Sequence, residues 1–136
     1  MILVDLNQVV ISSLMLQIGS KGYGAEITND LMRHIVLNTI RAHRNRFHEK
    51  YGEIVICTDH HHYWRRDVFP HYKASRKKIR EASGFDWGLI FDTMNTIRDE
   101  LDEFFPYKVI RVDGAEADDI IATLCHTHGS ILAREG

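Results

Sequence analysis

The chain has 136 residues, of which 44% are hydrophobic and 26% charged, with a formal net charge of −2. That is enough chain for one modest domain with a buried core, and the composition is that of a globular protein, not a disordered or fibrous one. No apolar run is long enough to span a membrane, the first residues carry no signal-peptide pattern, and near-neutrality means that any nucleic-acid contact must come from a local basic patch.

Met1-Ile2-Leu3-Val4 reads as a short buried parallel strand, closed by Asp5. A carboxylate at the carboxyl end of a first strand stands where open α/β sheets place their chemistry. The plainer alternative is that Asp5 caps the following helix, whose pattern runs through Val9, Val10, Leu14 and Ile18. Gly19 to Gly24 is glycine-rich but lacks the spacing and the Lys-Ser/Thr ending of a phosphate-binding loop, so it reads as a connector. Thr28 is the expected N-cap of a long helix with an apolar stripe of Leu31, Met32, Ile35, Val36 and Ile40, ended by Gly52. Glu53 to Thr58 is a second buried strand, and Asp59 ends it as Asp5 ends the first. His60, His61 and His62 invite a zinc reading, but adjacent residues cannot all face one ion, so they read as loop residues near the site.

From Arg65 to Arg80, 16 residues hold seven of the chain's 17 lysines and arginines against one acid, Asp67, with Tyr63, Trp64, Phe69 and Tyr72 interleaved. Cations neutralise phosphates and aromatic faces accept unstacked bases, so the segment reads as a nucleic-acid contact built of mobile loop or short helices. The alternative is an exposed basic surface without a ligand. Asp86, with Ser83 as the alternative, then caps a helix whose stripe of Trp87, Ile90, Phe91, Met94, Ile97, Leu101 and Phe104 reads as core packing, closed by Pro106. Tyr107 to Val112 is the third strand, and Ser130-Ile131-Leu132-Ala133 the start of a fourth. Cys57 and Cys125 read as reduced core residues of a cytoplasmic protein.

Between the third strand and the last helix lie Glu116, Asp118 and Asp119, three carboxylates in four residues. Acids suit a first helical turn, where they face the positive end of the helix dipole, and Asp113 could serve as a simple cap. Gathered at a strand-to-helix junction they also repel one another, and a hard divalent cation with oxygen ligands offsets that repulsion. With parallel strands, Asp5 and Asp59 emerge at the same sheet edge as Glu116 and Asp118. The alternation predicts an α/β fold with a mostly parallel sheet covered by helices on both faces.

Several of these residues fall into recognisable motifs: Asp59 followed by Tyr63-Trp64-Arg65-Arg66-Asp67, then Tyr72-Lys73-Ala74-Ser75-Arg76, then Glu116-Ala117-Asp118-Asp119-Ile120-Ile121-Ala122. Together with the strand ending in Asp5, they resemble the 5′ nuclease superfamily of flap endonucleases and 5′–3′ exonucleases, nearest to its phage, primer-removing branch. The resemblance implies a PIN-like core with Mg²⁺, replaceable by Mn²⁺, at Asp5, Asp59, Glu116 and Asp118, with Asp119 beside them. It implies that Lys73 and Arg76 clamp the scissile phosphate and are catalytic. Tyr72 would stack on a terminal base, and Arg65, Arg66, Lys77 and Lys78 would hold the single strand of a DNA flap or of an RNA–DNA primer junction. Residues 1–136 would form a single amino-terminal domain with a basic, arch-like segment at about 60–84. The family's later Asp-x-Asp element and DNA-binding region have no counterpart here, so the expectation is an amino-terminal half with one metal cluster nearly complete and an exposed sheet edge open to self-association. The rival to a nuclease is a non-catalytic DNA-binding or assembly module that needs a partner chain carrying the second metal cluster. A phosphatase-like hydrolase with Asp5 as nucleophile is a third reading, against which the usual second acid two residues on is Asn7.

Overall fold

The computed structural model describes residues 1–21 and 26–135. The elements in order are β1 (Ile2–Asp5), α1 (Leu6–Lys21), α2 (Asn29–Tyr51), β2 (Ile54–Cys57), α3 (Trp64–Val68), α4 (Ala74–Ala82), α5 (Trp87–Phe104), β3 (Lys108–Ile110) and α6 (Ala117–Glu135). The three strands form one parallel sheet in the order β1-β2-β3, with Val4 opposite Ile56 and Ile56 opposite Val109.

Alternation along the strands divides the core. Val4, Ile54 and Ile56 face one side and pack with α1, α2 and α5, whereas Cys57 faces the other and packs with Ala117 and Ile120 of α6. Successive right-handed crossovers that step the same way across a sheet place their helices on one face, which is where α1, α2 and α5 lie. In α1 the buried positions are Leu6, Val10, Leu14 and Ile18, an uninterrupted four-residue spacing. The Thr28 hydroxyl accepts from the backbone N–H of Leu31, and Gly52, at φ 82°, ends α2 in a conformation that favours glycine. Asp86 caps α5 by accepting from Leu89 N–H.

Four expectations are corrected. Phe104, read as part of the core stripe of α5, is 72% exposed as the last residue of that helix. Ser130 to Ala133 lies within α6, not in a fourth strand. A lone Gly129 does not break the helix, and good helix formers follow it with no proline or turn cluster to stop it. Cys125 is exposed, because it falls beside the Ile120, Ile121 and Leu124 stripe, while Cys57 is buried as expected. The glycine-rich connector starts later than its first glycine, since α1 runs through Gly19 to Lys21; the rest of that connector, 22–25, lies outside the described residues. No helix among the described residues is long and apolar enough to cross a membrane.

Candidate active site

All three strands point their carboxyl ends at one cleft of about 1130 Å³. Asp5, Asp59, Glu116 and Asp118 line it together with Lys73, Arg66 and Arg76 from the basic segment. Four acids from three separate strand ends therefore meet one basic wall. Asp119, Arg65, Tyr72, Lys77 and Lys78 do not line the cleft.

Asp5 caps α1, its Oδ1 accepting from Gln8 N–H at 3.0 Å, and its side chain lines the cleft. Burial pushes its carboxyl above the ordinary value of 3.8, the Gln8 N–H pulls the other way, and the charges of Asp59 and Asp118 add to the rise. A raised native value means the folded state holds this proton more tightly than the unfolded chain does. The stability from that proton is complete below about pH 3.8 and is lost as the pH rises through the native value. Asp5→Asn removes the repulsion and keeps an acceptor for Gln8 N–H. At pH 7 it should raise Tm by about 2–5 °C, a gain that calorimetry should show fading as the pH is lowered toward 4.

Asp59 stands two residues past β2 and is fixed from both flanks. Its Oδ2 accepts from Asn7 Nδ2 at 2.8 Å and its Oδ1 from Ala117 N–H at 2.7 Å. The sequence reading passed over Asn7, whose only signal was its place two residues after a strand-ending acid. The loop after Asp59 is fastened to the segment before α6 mainly by its backbone. His60 N–H donates to Ala115 O, Trp64 N–H donates to Gly114 O at 2.8 Å, and Tyr63 bridges to Gly114, which sits at φ 76°.

Glu116 is almost wholly buried, at 2% exposure, and is held by three side chains. Lys73 Nζ donates to Oε1, while Arg65 at 2.7 Å and the Tyr72 hydroxyl at 3.2 Å donate to Oε2. Burial pushes its carboxyl up, but these donors, Lys73 foremost, outweigh burial and hold it below the ordinary glutamate value. Lys73 is moved the other way. Burial lowers its ammonium, and the bonds to Glu116 and Tyr72 more than offset this.

Arg65, expected to hold a single strand, forks onto Asp119 at 2.6 and 2.9 Å and reaches Glu116. Asp119 also accepts from Glu116 N–H at 3.0 Å, the return bond of a capping box at the start of α6. Arg65 and Asp119 thus clamp α3 to α6. Arg65→Lys keeps a charge but loses the fork, and urea denaturation should show lower stability than the native chain at pH 7. The difference should shrink as acid protonates Asp119, whose carboxyl Arg65 holds below its ordinary value. Tyr72 is half-buried, its ring lying 5.0 Å from Lys73 Nζ and 6.1 Å from the Tyr63 ring.

Among the described residues no group of three His, Cys, Asp or Glu side chains is arranged to hold an ion as it stands. Glu116 is turned to its cations and Asp59 is occupied by two donors. Two observations nevertheless fit a cation: the partly buried Asp5 carboxyl, raised by burial and by the charges of Asp59 and Asp118, and the buried Thr58 hydroxyl, which lines the cleft and has no hydrogen-bond partner. Hard oxygen donors of this kind suit Mg²⁺ or Mn²⁺.

The strands of one parallel sheet deliver four acids to a cleft with a basic wall, the arrangement of an α/β domain whose candidate site lies at the carboxyl ends of its strands. The model of the 5′–3′ exonuclease amino-terminal, resolvase-like domain matches residues 26–131, and the chain belongs to that family. It is 36% identical over 125 residues to the ribonuclease H of Enterobacteria phage T4, a match covering 90% of this chain and 40% of that protein. The chain thus spans less than half the length of that relative.

Proposed function

We propose that the chain carries the acid centre and the phosphate-binding wall of a metal-dependent, structure-specific 5′ nuclease acting on DNA flaps or on RNA primers in RNA–DNA duplexes. The observation that carries this reading is the meeting of Asp5, Asp59, Glu116 and Asp118 with Lys73 across one cleft. Asp5, Asp59 and Asp118 would hold Mg²⁺ or Mn²⁺, and Glu116 would join them once a phosphate takes Lys73 from it. Bound there, the metal supplies an activated water and neutralises charge on the phosphoryl oxygens. Lys73 and Arg76 face the acids and would bind the scissile phosphate, the lysine as a point charge and the arginine as a fork. Arg66 extends that wall, and Lys77 and Lys78 continue it along the exposed face of α4. Arg65, Tyr72 and Asp119 position the acids, fixing Glu116 and the start of α6.

The pairing of Glu116 with Arg65 and Lys73 favours keeping a second reading, in which the chain binds DNA but cleaves only with a partner chain bringing further acids. The β3 edge is where such a chain, or a second copy, would add. A labelled 5′-flap duplex and an RNA–DNA primer junction, each incubated with the chain in Mn²⁺, separate the two. Cleavage supports the nuclease reading, and tight binding without cleavage supports the module.

A further inference from the structure

The cleft does not end at the acids. Its far wall carries Trp87 and Phe91 of α5 with Ile79 of α4, and Arg80, Arg98 and Arg111 also line it. Of the α5 stripe, Ile90, Met94, Ile97 and Leu101 are core, at most 6% exposed, while Phe104 at the far end is 72% exposed. Trp87 and Phe91 only pack against that core and remain half-buried, with ring centroids 5.8 Å apart. The Trp87 indole N–H donates to Ser83 Oγ at 2.7 Å, so the polar edge of the ring is satisfied within the protein. Arg80 stands 5.6 Å from the Phe91 centroid, and Ile79 is 67% exposed.

We propose that Trp87 and Phe91, with Arg80, form a stacking platform for unpaired bases of a single-stranded nucleic acid that enters the same cleft. Half-buried ring surface in a cleft, with the Arg80 guanidinium over Phe91 and further arginines along the same wall, matches a ligand with alternating π-faces and phosphates. A duplex hides its base faces, and a small apolar ligand has no use for the cations. Tyr72, the aromatic expected from its motif to stack on a base, is half-buried beside Lys73, Arg65 and Tyr63 and does not line the cleft, whereas Trp87 and Phe91 do. The arginine plane over Phe91 can itself stack on a base. The proposal rests on reading the cleft as a phosphodiester site, and it adds where the bases go.

The test compares a fluorescent oligothymidylate of about 12 nucleotides, spanning the site size of a small single-strand groove, with an abasic chain of the same length, in chelator so that nothing is cleaved. Phe91→Leu keeps apolar volume and removes the ring. It should weaken oligothymidylate binding about tenfold and leave the abasic chain unaffected. Arg80→Gln, a surface change that does not threaten folding, should weaken oligothymidylate more than the abasic chain. Unchanged oligothymidylate binding by Phe91→Leu, equal weakening of both probes by Arg80→Gln, or no binding of oligothymidylate by the native chain would each overturn the platform. A chain that binds through Phe91 but never cleaves a flap overturns the nuclease reading alone. A chain that cleaves yet ignores Phe91→Leu overturns the platform alone.

Discussion

Cleavage of a 5′-flap substrate in Mn²⁺ should fall by about 100- to 1000-fold in Asp59→Asn, the loss expected when several kcal/mol of transition-state charge stabilisation is removed. Asp59 is the acid with the most to lose. Its two oxygens take the Asn7 amide from α1 and the Ala117 N–H from the start of α6, so this carboxylate ties the first and last helices to the β2 end. An asparagine has one acceptor oxygen where two are in use. Its amide would face either Asn7 Nδ2 or Ala117 N–H, donor against donor, and leave one of them unsatisfied at about 1–3 kcal/mol. The variant should therefore lose stability as well as activity. Asp5→Asn separates the two, since it should lose activity while gaining stability. If Asp59→Asn retains more than about a tenth of native cleavage, the acid centre proposed here is not where the chemistry occurs.

The acids were legible because strand ends are legible. Four apolar residues followed by Asp5, and Ile54 to Cys57 followed shortly by Asp59, fix both a parallel strand and the edge to which it delivers its acid. Periodicity also placed α2, α5 and their caps. What it did not separate was the two ends of one stripe. Trp87 and Phe91 fall on the same helical face as Ile90 and Leu101, yet the sheet covers only part of α5, and its aromatic end runs out into the cleft. Nor does a basic segment announce which of its cations face inward. Arg65 and Lys73 lie eight residues apart among exposed neighbours, and only the fold brings both onto buried Glu116. Charge counting saw a uniform patch, while the structure divides it into a clamp (Arg65), a cleft wall (Arg66, Lys73, Arg76) and an outer face (Lys77, Lys78).

Lys73 offers a second large effect, with a built-in control. Among the described residues it is the one non-glycine at positive φ, 57° with ψ 16°, at the N-cap of α4. A left-handed lysine costs on the order of 1–2 kcal/mol, and such a conformation persists where surrounding contacts outweigh it. Here those contacts are the bond to Glu116 and the Tyr63 and Tyr72 rings, 5.6 and 5.0 Å from Nζ. Lys73→Ala removes the cation and keeps the strained backbone. Lys73→Gly removes the cation and relieves the backbone. Both should lose about 100-fold or more in flap cleavage, the scale seen when one preorganised charge-stabilising donor is removed. The glycine variant should be the more stable of the two by about 1 kcal/mol in urea denaturation. Equal loss of cleavage with unequal stability would assign the effect to the ammonium. Cleavage that recovers in the glycine variant would assign it to the turn, and Lys73 would then be a hinge with no direct part in binding the phosphate.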